Sequence, residues 1–296
     1  MTKDFLSFLD FTREELEAFL HRAVQLKKWQ KEGKSHTPLQ GKVLGLLFEK
    51  SSTRTRVSFE VGMLQLGGHG IYLTNQTSQL GRGETIEDTA RVLSRYMDGI
   101  VLRTFEQSKL DTLAKFASIP VINGLSDSLH PCQVLADLLT VYENKKTLTD
   151  VKVAWVGDGN NMANSWIEAA ILFGFELRLA CPKGFETKEP KQKNIMLTGD
   201  PIEACTGADV INTDTWVSMG QEGEGEKNKK RLFEPFQVNA KLLARAKKDC
   251  IVLHCLPAHR GEEITDEVID GPNSRVWDEA ENRLHVQKAL LEKLLA

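Results

Sequence analysis

Short apolar runs alternate with amphipathic helical patterns along most of the chain, and this alternation limits the fold more than any other feature. The runs that predict strands are Val43–Phe48, Gly70–Leu73, Gly99–Arg103, Val121–Asn123, Val151–Val156, Glu176–Ala180, Val210–Thr213 and Ile251–Leu256. The helical patterns are clearest over Thr85–Tyr96, Pro131–Tyr142, Ala163–Phe173, Val238–Ala246 and Glu279–Leu295. Because helical patterns lie between the apolar runs, the order predicts parallel, doubly wound sheets in an α/β fold.

Two polar runs indicate where this pattern is interrupted. The length of 296 residues fits one large domain or two ordinary ones. The run ENKKTLTD, residues 143–150, predicts a hinge between two α/β halves, with the preceding helix as the connecting element. The run GQEGEGEKNKKR, residues 220–231, is glycine-rich and has no apolar periodicity. It predicts a surface loop, which is either structurally plain or an active-site lid.

Composition excludes several classes of protein. Hydrophobic residues make up 41% of the chain and charged residues 27%, a balance typical of a globular protein with a core. The net charge of -3 argues against a nucleic acid or an anionic membrane surface as the main partner. Five cysteines without a CxxC pair favour a reduced, cytoplasmic chain. Asp4 and Asp10 interrupt any apolar segment that a signal peptide would need.

The stretch KSSTRTRVSFE, residues 50–60, follows the first predicted strand and opens a helical pattern. It places Arg54 and Arg56 in or near the first helical turn, where the helix dipole disfavours cations. A bound anion would offset them, because this stretch adds hydroxyl donors to the free N–H groups of that turn. The hydroxyl residues are Ser51, Ser52, Thr53 and Thr55. The pattern therefore favours a phosphate site, and the alternative is that both arginines are simply solvated.

Two more residues lie where ligands commonly bind. Arg103 ends a predicted strand, and ligands of open α/β sheets bind beyond the carboxyl ends of strands. His130 precedes Pro131 at a helix start, where the dipole favours a neutral imidazole that can donate a hydrogen bond to a carbonyl. A solvated strand end and an ordinary helix cap are the corresponding alternatives.

The stretch VAWVGDGNNMANS introduces a rival hypothesis, because a GxG turn after a strand is typical of dinucleotide-binding domains. Met162 stands at the position of the third glycine. The next predicted strand ends without the acidic residue that would hold a ribose. Both departures disfavour an NAD-dependent dehydrogenase.

The stretch DTWVSMG follows a predicted strand, and IVLHCLPAHRGEE contains one that ends near Cys255 and Leu256. An amino-acid zwitterion needs a carboxylate for its ammonium group and donors for its carboxylate. Asp214, with Asn161, Ser218 and the Met219 backbone, offers that combination, although an isolated SMG tripeptide is often only a turn. Cys255 suggests a nucleophile, but a free cysteine is commonly an inert core residue and no hydrolase signature surrounds it.

STRTR after a strand, HPCQ, DTWVSMG and HCLP together resemble the ornithine branch of the aspartate/ornithine carbamoyltransferase family, and the resemblance extends over almost the whole chain. It implies that carbamoyl phosphate contacts Ser52, Thr53, Arg54, Thr55, Gln79, Arg103, His130, Gln133, Cys255, Leu256 and Arg283. It implies that ornithine contacts Asn161, Asp214, Ser218 and Met219. Catalytic roles fall to Arg54, Arg103, His130 and Cys255, with no covalent intermediate on the cysteine.

The same resemblance implies a particular organisation and activity. A carbamoyl-phosphate-binding domain is expected over residues 1–132, with the C-terminal helix at about 277–296 packing back on it. An ornithine-binding domain is expected over 133–296. Interdomain helices would join these two doubly wound parallel-sheet domains, with the active site in the cleft.

The implied reaction transfers the carbamoyl group of carbamoyl phosphate to the δ-amine of L-ornithine, and the products are L-citrulline and phosphate. It would serve arginine biosynthesis or the arginine deiminase route. Putrescine or aspartate as acceptor is the alternative. The SMG, HPCQ and HCLP stretches disfavour aspartate, whereas putrescine is disfavoured only because it lacks the α-carboxylate that the SMG loop would bind. We expect no cofactor, no metal, no nucleic-acid or membrane partner, a cytoplasmic location, and a homotrimer or a multiple of trimers.

Overall fold

The computed structural model describes residues 4–74, 83–188, 192–217 and 226–296. It divides into two compact units, one formed by Met1–Leu139 with Glu281–Ala296 and the other by Thr140–Ala280. We call these unit 1 and unit 2. The boundaries fall inside two helices, Pro131–Lys145 and Val276–Leu295. The predicted hinge at 143–150 therefore begins inside a helix.

Unit 1 is built around a four-stranded parallel sheet with the strand order β2-β1-β3-β4. Its strands are β1 (Val43–Phe48), β2 (His69–Thr74), β3 (Gly99–Arg103) and β4 (Val121–Leu125). The first helices are α1 (Arg13–Lys31), α2 (Thr53–Gln65), α3 (Ile86–Leu93), α4 (Gln107–Phe116) and α5 (Pro131–Lys145). A core cluster that includes Leu47, Ile100, Leu102, Leu110 and Val121 packs α3 and α4 on the sheet.

Unit 2 contains a five-stranded parallel sheet with the order β7-β6-β5-β8-β9. Its strands are β5 (Lys152–Val156), β6 (Glu176–Ala180), β7 (Ile195–Thr198), β8 (Val210–Thr213) and β9 (Ile251–His254). The later helices are α6 (Asn161–Phe173), α7 (Pro201–Cys205), α8 (Glu226–Phe233), α9 (Ala240–Leu243), α10 (Asp266–Ile269) and α11 (Val276–Leu295). Short 3-10 turns cover Phe8–Asp10 and Glu234–Phe236.

The two parallel-sheet units confirm the predicted α/β class, and most differences lie at element ends. The strand predicted to reach Leu256 ends at His254, because Leu256 has a φ of 57° and cannot continue an extended strand. The helix predicted over Val238–Ala246 is only the four residues Ala240–Leu243, capped by Asn239. Strand β7 was not predicted. The loop predicted at 220–231 is wrong from Glu226 onward, where helix α8 begins.

None of the helices in the described part of the chain has both the length and the apolar character of a membrane span.

Candidate active site

Parallel strands bring the predicted ligand residues of unit 1 to one edge of its sheet. Strands β1, β3 and β4 are neighbours and all parallel, so their carboxyl ends lie together. The STRTR stretch follows β1, Arg103 ends β3, and His130 lies between β4 and α5. The edge outside the carboxyl ends is where ligands bind in open α/β sheets.

Helix α2 separates the roles of the two arginines near its start. Ser52 is its N-cap, and the Ser52 hydroxyl accepts a hydrogen bond from the Thr55 N–H at 3.2 Å. Arg56 is offset locally, because its Nε donates to Glu60 at 3.1 Å and its guanidinium lies 3.8 Å from the Tyr72 ring centroid. Arg54 forms no hydrogen bond or ion pair with the residues that the structure describes. Of the two arginines near this helix start, Arg54 is therefore the one whose charge a bound anion could offset.

A buried hydrogen-bond chain links α2, α5 and α11 within unit 1. Arg283 donates to the Gln133 side-chain oxygen through Nη1 and to Thr55 Oγ1 through Nη2, the latter at 3.1 Å. Gln133 in turn donates through Nε2 to Asp137 Oδ1 at 2.8 Å. Arg283 is only 4% exposed and is hydrogen-bonded on α11, so it is not a solvated helix residue. It lies in the third turn of α11 rather than at its start.

His130 is neutral in this environment. Its pKa is lowered well below the usual value, first by burial and then by Arg283, Arg103 and Arg54. Three guanidinium groups thus act on one uncharged imidazole. The sequence predicted a neutral His130 from the helix dipole, and burial and the arginines lower its pKa in the same direction.

Unit 2 also gathers its candidate residues at one edge, because β5, β8 and β9 are parallel neighbours. Asp214 directly follows β8, and its Oδ1 accepts a 2.7 Å hydrogen bond from the Thr215 N–H. Cys255 follows β9, and its Sγ donates to the same Oδ1 at 3.0 Å. A carboxylate and a thiol therefore share one hydrogen bond at this edge.

Asn160 of the GDGNN turn contacts Asp214, and the sequence analysis did not single this residue out. Asn160 Nδ2 donates to Asp214 Oδ2 at 2.9 Å, while its Oδ1 caps α6 by accepting from the Met162 and Ala163 N–H groups. Asn161 is the first residue of α6. Two adjacent asparagines at a helix start signal a cap, but not which of them meets the carboxylate. The contact of Asp137 with Gln133 was not predicted either, although the two residues are four positions apart and therefore lie on the same face of α5.

The segment after β9 is held by two buried side chains. His254 Nδ1 accepts the Leu256 N–H at 2.9 Å, so its hydrogen is on Nε2, which lies 3.0 Å from Glu263 Oε1. Leu256 has a left-handed φ, an unfavourable conformation for a residue with a side chain. The His254 contact thus fixes the backbone that carries Cys255 and Leu256.

The thiol environments narrow the roles open to the cysteines. Cys132, Cys181, Cys205 and Cys250 are buried, and Cys255 is half-buried. Burial raises the pKa of Cys132, Cys181 and Cys250 to about 12, which keeps these thiols protonated and inert. Of the five cysteines, only Cys255 is partly exposed, and its thiol contacts the candidate ligand residue Asp214.

The GDG turn that suggested a dinucleotide site is filled by the chain itself. A Cβ on Gly159 would lie 2.5 Å from the Thr187 nitrogen and 2.6 Å from the Phe185 oxygen. The Gly159 N–H donates to that oxygen at 2.8 Å. The second glycine is therefore required for packing against residues 185–187, and this explains the GxG pattern without a pyrophosphate.

Three predicted site residues, Gln79, Ser218 and Met219, lie outside the described residues.

Comparison with known proteins gives one family-model match for each half of the chain. Residues 3–143 match the family model for the aspartate/ornithine carbamoyltransferase carbamoyl-P binding domain, and residues 149–294 match that for the Asp/Orn binding domain. An ornithine carbamoyltransferase of Pelobacter propionicus is 57% identical, over 100% of this chain and 99% of the relative. The anabolic ornithine carbamoyltransferase of Pseudomonas aeruginosa is 53% identical, over 99% and 97%. The solved ornithine carbamoyltransferase of Pyrococcus furiosus superposes with a TM-score of 0.95 at 52% identity, over 99% and 97%.

Proposed function

Since the chain belongs to the aspartate/ornithine carbamoyltransferase family, we propose that it transfers the carbamoyl group of carbamoyl phosphate to the δ-amine of L-ornithine and releases L-citrulline and phosphate. The observation that carries the proposal is the positive charge near His130, whose pKa is lowered by burial and by three arginines. Arg54, Arg103 and Arg283 all act on this imidazole, and two of them are buried. A phosphate dianion is complementary to this concentration of positive charge.

The phosphate is bound at the start of α2. Ser52, Thr53, Arg54 and Thr55 provide hydroxyl, guanidinium and backbone N–H donors, and the dipole of a thirteen-residue helix adds positive potential. The Ser52 side chain that caps the helix leaves its own O–H free to donate. Gln79 is proposed as a further phosphate contact, from a neighbouring subunit.

The carbonyl oxygen of carbamoyl phosphate is bound by Arg54, Thr55, Arg103 and neutral His130. As the amine attacks the carbonyl carbon, negative charge develops on this oxygen. Donors that are already in place stabilise that charge more than they stabilise the ground state. A neutral imidazole serves here because it donates a hydrogen bond without adding a fourth positive charge.

Gln133 selects the carbamoyl amide. Its Nε2 is committed to Asp137 and its Oε1 already accepts one hydrogen bond from Arg283. A carbonyl oxygen has two lone pairs and can accept more than one hydrogen bond. The Gln133 oxygen can therefore accept from the NH2 group of a carbamoyl group, and it cannot donate to a second oxygen.

Ornithine is bound by the edge of unit 2. Asp214 pairs with the α-ammonium group of ornithine. Asn161, Ser218 and the Met219 backbone bind the remainder of the amino-acid moiety. Cys255 and Leu256 line the path between the amine and the carbamoyl group. The δ-ammonium must lose a proton before attack, and the phosphate leaves with the proton that the attacking amine releases.

The proposal includes a cytoplasmic homotrimer, supported by the reduced cysteines and by the family match of the Gln79 stretch. Light scattering on the purified protein measures the subunit number, and a monomer would exclude a contribution of Gln79 from a neighbour.

An acceptor panel tests the activity. Purified protein is mixed with carbamoyl phosphate and ornithine, putrescine or aspartate, and the ureido product and released phosphate are measured. We expect rapid product with ornithine and at least a hundredfold lower kcat/KM with the other two, because putrescine lacks the α-carboxylate and aspartate lacks the δ-amine. Preference for either of them would overturn the assignment of Asp214 and Ser218 and leave the carbamoyl-phosphate half standing.

A further inference from the structure

A cluster of side chains that could bind a metal ion lies in unit 2, in the turn a few residues after Cys255. His259, Glu262 and Glu263 each place one ligand atom within 4.8 Å of the others. We call these three residues the His259 cluster. His259 Nδ1 and Glu262 Oε2 are 3.9 Å apart. None of the three is among the residues assigned above to a substrate.

Glu263 gives the cluster its chemical meaning. Its side chain is fully buried, and its Oε1 is the acceptor for His254 Nε2 at 3.0 Å and for the His259 N–H at 2.5 Å. Its Oε2 is also buried and has no hydrogen-bond partner among the residues that the structure describes. A buried carboxylate oxygen without a donor is costly, so this atom indicates a missing positively charged or donor group.

A second carboxylate oxygen of the cluster is also buried without a hydrogen-bond donor among the described residues. Glu262 Oε2 is buried and, within the described ranges, also lacks a hydrogen-bond partner. The nearby cation does not serve it, because Lys230 Nζ binds the other oxygen, Glu262 Oε1, at 2.7 Å and also Glu226 at 2.8 Å. Three carboxylates and one ammonium therefore share this region. The charge is complementary to a divalent cation.

The backbone of the turn is fixed before any ligand binds. Gln237 Nε2 donates to the Gly261 and Glu262 carbonyl oxygens, both at 2.8 Å. The Glu262 N–H donates to the His259 oxygen, and the Gly261 N–H donates to the Ile264 oxygen. The His259 ring is half-exposed, at 49%, and can adjust. Ligand atoms of a four-coordinate zinc ion lie about 3.4 Å apart, a small change from 3.9 Å.

We propose that the His259 cluster binds one divalent first-row transition-metal ion through the His259 imidazole and the Oε2 atoms of Glu262 and Glu263. One imidazole and two carboxylates suit zinc, cobalt or manganese, and the exposed side leaves room for water ligands. Glu263 also holds His254, which fixes the Leu256 N–H. The ion therefore stabilises the segment that carries Cys255.

The neighbouring group formed by Asp214, His254 and Cys255 is the competing location. Both nitrogens of His254 are already engaged, by the Leu256 N–H and by Glu263. A metal ion there would have to break one of these contacts. It would also be bound by a thiolate, which gives the two locations different spectra.

Cobalt(II) titration of the chelator-treated, full-length protein tests the proposal. We expect one Co²⁺ per chain, visible d–d absorption without a sulfur-to-cobalt charge-transfer band, and displacement by Zn²⁺. His259→Ala and Glu262→Gln should each weaken Co²⁺ binding at least tenfold. The matched control is His69→Ala, since His69 is an exposed histidine in unit 1. It should bind Co²⁺ as the unaltered protein does.

Three results would overturn the proposal. The first is no saturable Co²⁺ absorption in the unaltered protein, and the second is equal affinity in His259→Ala. The third is a charge-transfer band that disappears in Cys255→Ser, because this would place the ion on Asp214 and Cys255. Circular dichroism of His259→Ala confirms that the comparison is made on a folded chain.

Discussion

The residues proposed to bind carbamoyl phosphate and those proposed to bind ornithine differ in the kind of charge they offer. In unit 1, arginines surround a buried histidine whose pKa is lowered, and arginine does not titrate in proteins. In unit 2, a carboxylate shares a hydrogen bond with a thiol, and both are titratable group types. The difference teaches that one half is suited to hold a permanent anion while the other is suited to a substrate that must lose a proton.

The largest expected effect concerns permanent charge in unit 1. Arg54→Ala should lower carbamoyl-phosphate affinity about a thousandfold, because it removes a charged partner of the phosphate at a cost of roughly 4 kcal/mol. The matched control is Arg56→Ala, two residues along the same helix, where the guanidinium already pairs with Glu60 and stacks on Tyr72. It should change affinity less than threefold.

Calorimetry with carbamoyl phosphate measures both variants. An equal loss of carbamoyl-phosphate affinity in both variants would mean that the affinity depends on the total positive charge near the start of α2 and not on Arg54 in particular. Full affinity in Arg54→Ala would remove Arg54 from the phosphate site.

The second effect tests whether burial in unit 1 keeps a histidine near the proposed ligand residues unprotonated. Burial lowers the pKa of His285, two positions after Arg283, to about 4. The unfolded chain has a histidine pKa near 6.5 and so binds more protons than the native state between about pH 6.5 and 4. Stability should be full above pH 6.5 and fall by about 3 kcal/mol as pH decreases through this window.

Denaturant unfolding at a series of pH values measures this slope, and His285→Gln should remove most of its contribution. The exposed His69→Gln serves as control and should leave the slope unchanged. Part of the slope should persist because the pKa of His130 is also lowered. An unchanged slope in His285→Gln would assign all of the acid sensitivity to other groups.

The third effect concerns proton transfer in unit 2. Cys255→Ala removes the thiol that donates to Asp214 and should lower kcat about a hundredfold, whereas Cys255→Ser keeps a donor and should lose about tenfold. In the unaltered enzyme the rate should rise with pH through the effective pKa of the ornithine δ-amine.

Steady-state kinetics at several pH values measure these quantities together with the KM for carbamoyl phosphate, which should stay within threefold in both cysteine variants. A flat rate profile from acid to alkaline pH would contradict amine deprotonation. Identical losses in the alanine and serine variants would show that the hydrogen bond to Asp214 does not matter.

Strand ends were the most predictable part of the molecule. Apolar runs indicated β1, β3 and β8 at their observed bounds, and parallel order then required Arg103 and the residues after β1 to share an edge. This prediction succeeded because burial on both faces of a parallel strand leaves a continuous apolar signal. Strand β7 was missed because its four residues are mostly half-buried and follow a polar stretch.

Contacts between distant elements could not be derived from local patterns. Arg283 and Gln133 are 150 positions apart, and only the fold brings α11 against α5 in unit 1. The neighbouring asparagines show a finer limit. A helix that began one residue earlier would turn a different side chain toward Asp214, because each residue of a helix rotates by about 100°.

Asn160 therefore gives the smallest and most specific test of the unit 2 edge. It performs two tasks, capping α6 through Oδ1 and donating to Asp214 through Nδ2. Asn160→Ala loses both and should destabilise the protein by about 1 kcal/mol while raising the KM for ornithine about tenfold. Asn160→Asp keeps a good cap but replaces the donor with a carboxylate, which repels Asp214.

The two variants separate capping from substrate binding. If the hydrogen bond to Asp214 orients that carboxylate for ornithine, Asn160→Asp should retain the stability that Asn160→Ala loses and still show a KM at least ten times higher. Thermal unfolding and steady-state kinetics measure the two quantities independently. A normal KM in Asn160→Asp would reduce Asn160 to a helix cap, and the orientation of Asp214 would then rest on the Thr215 N–H and Cys255 within the described part of unit 2.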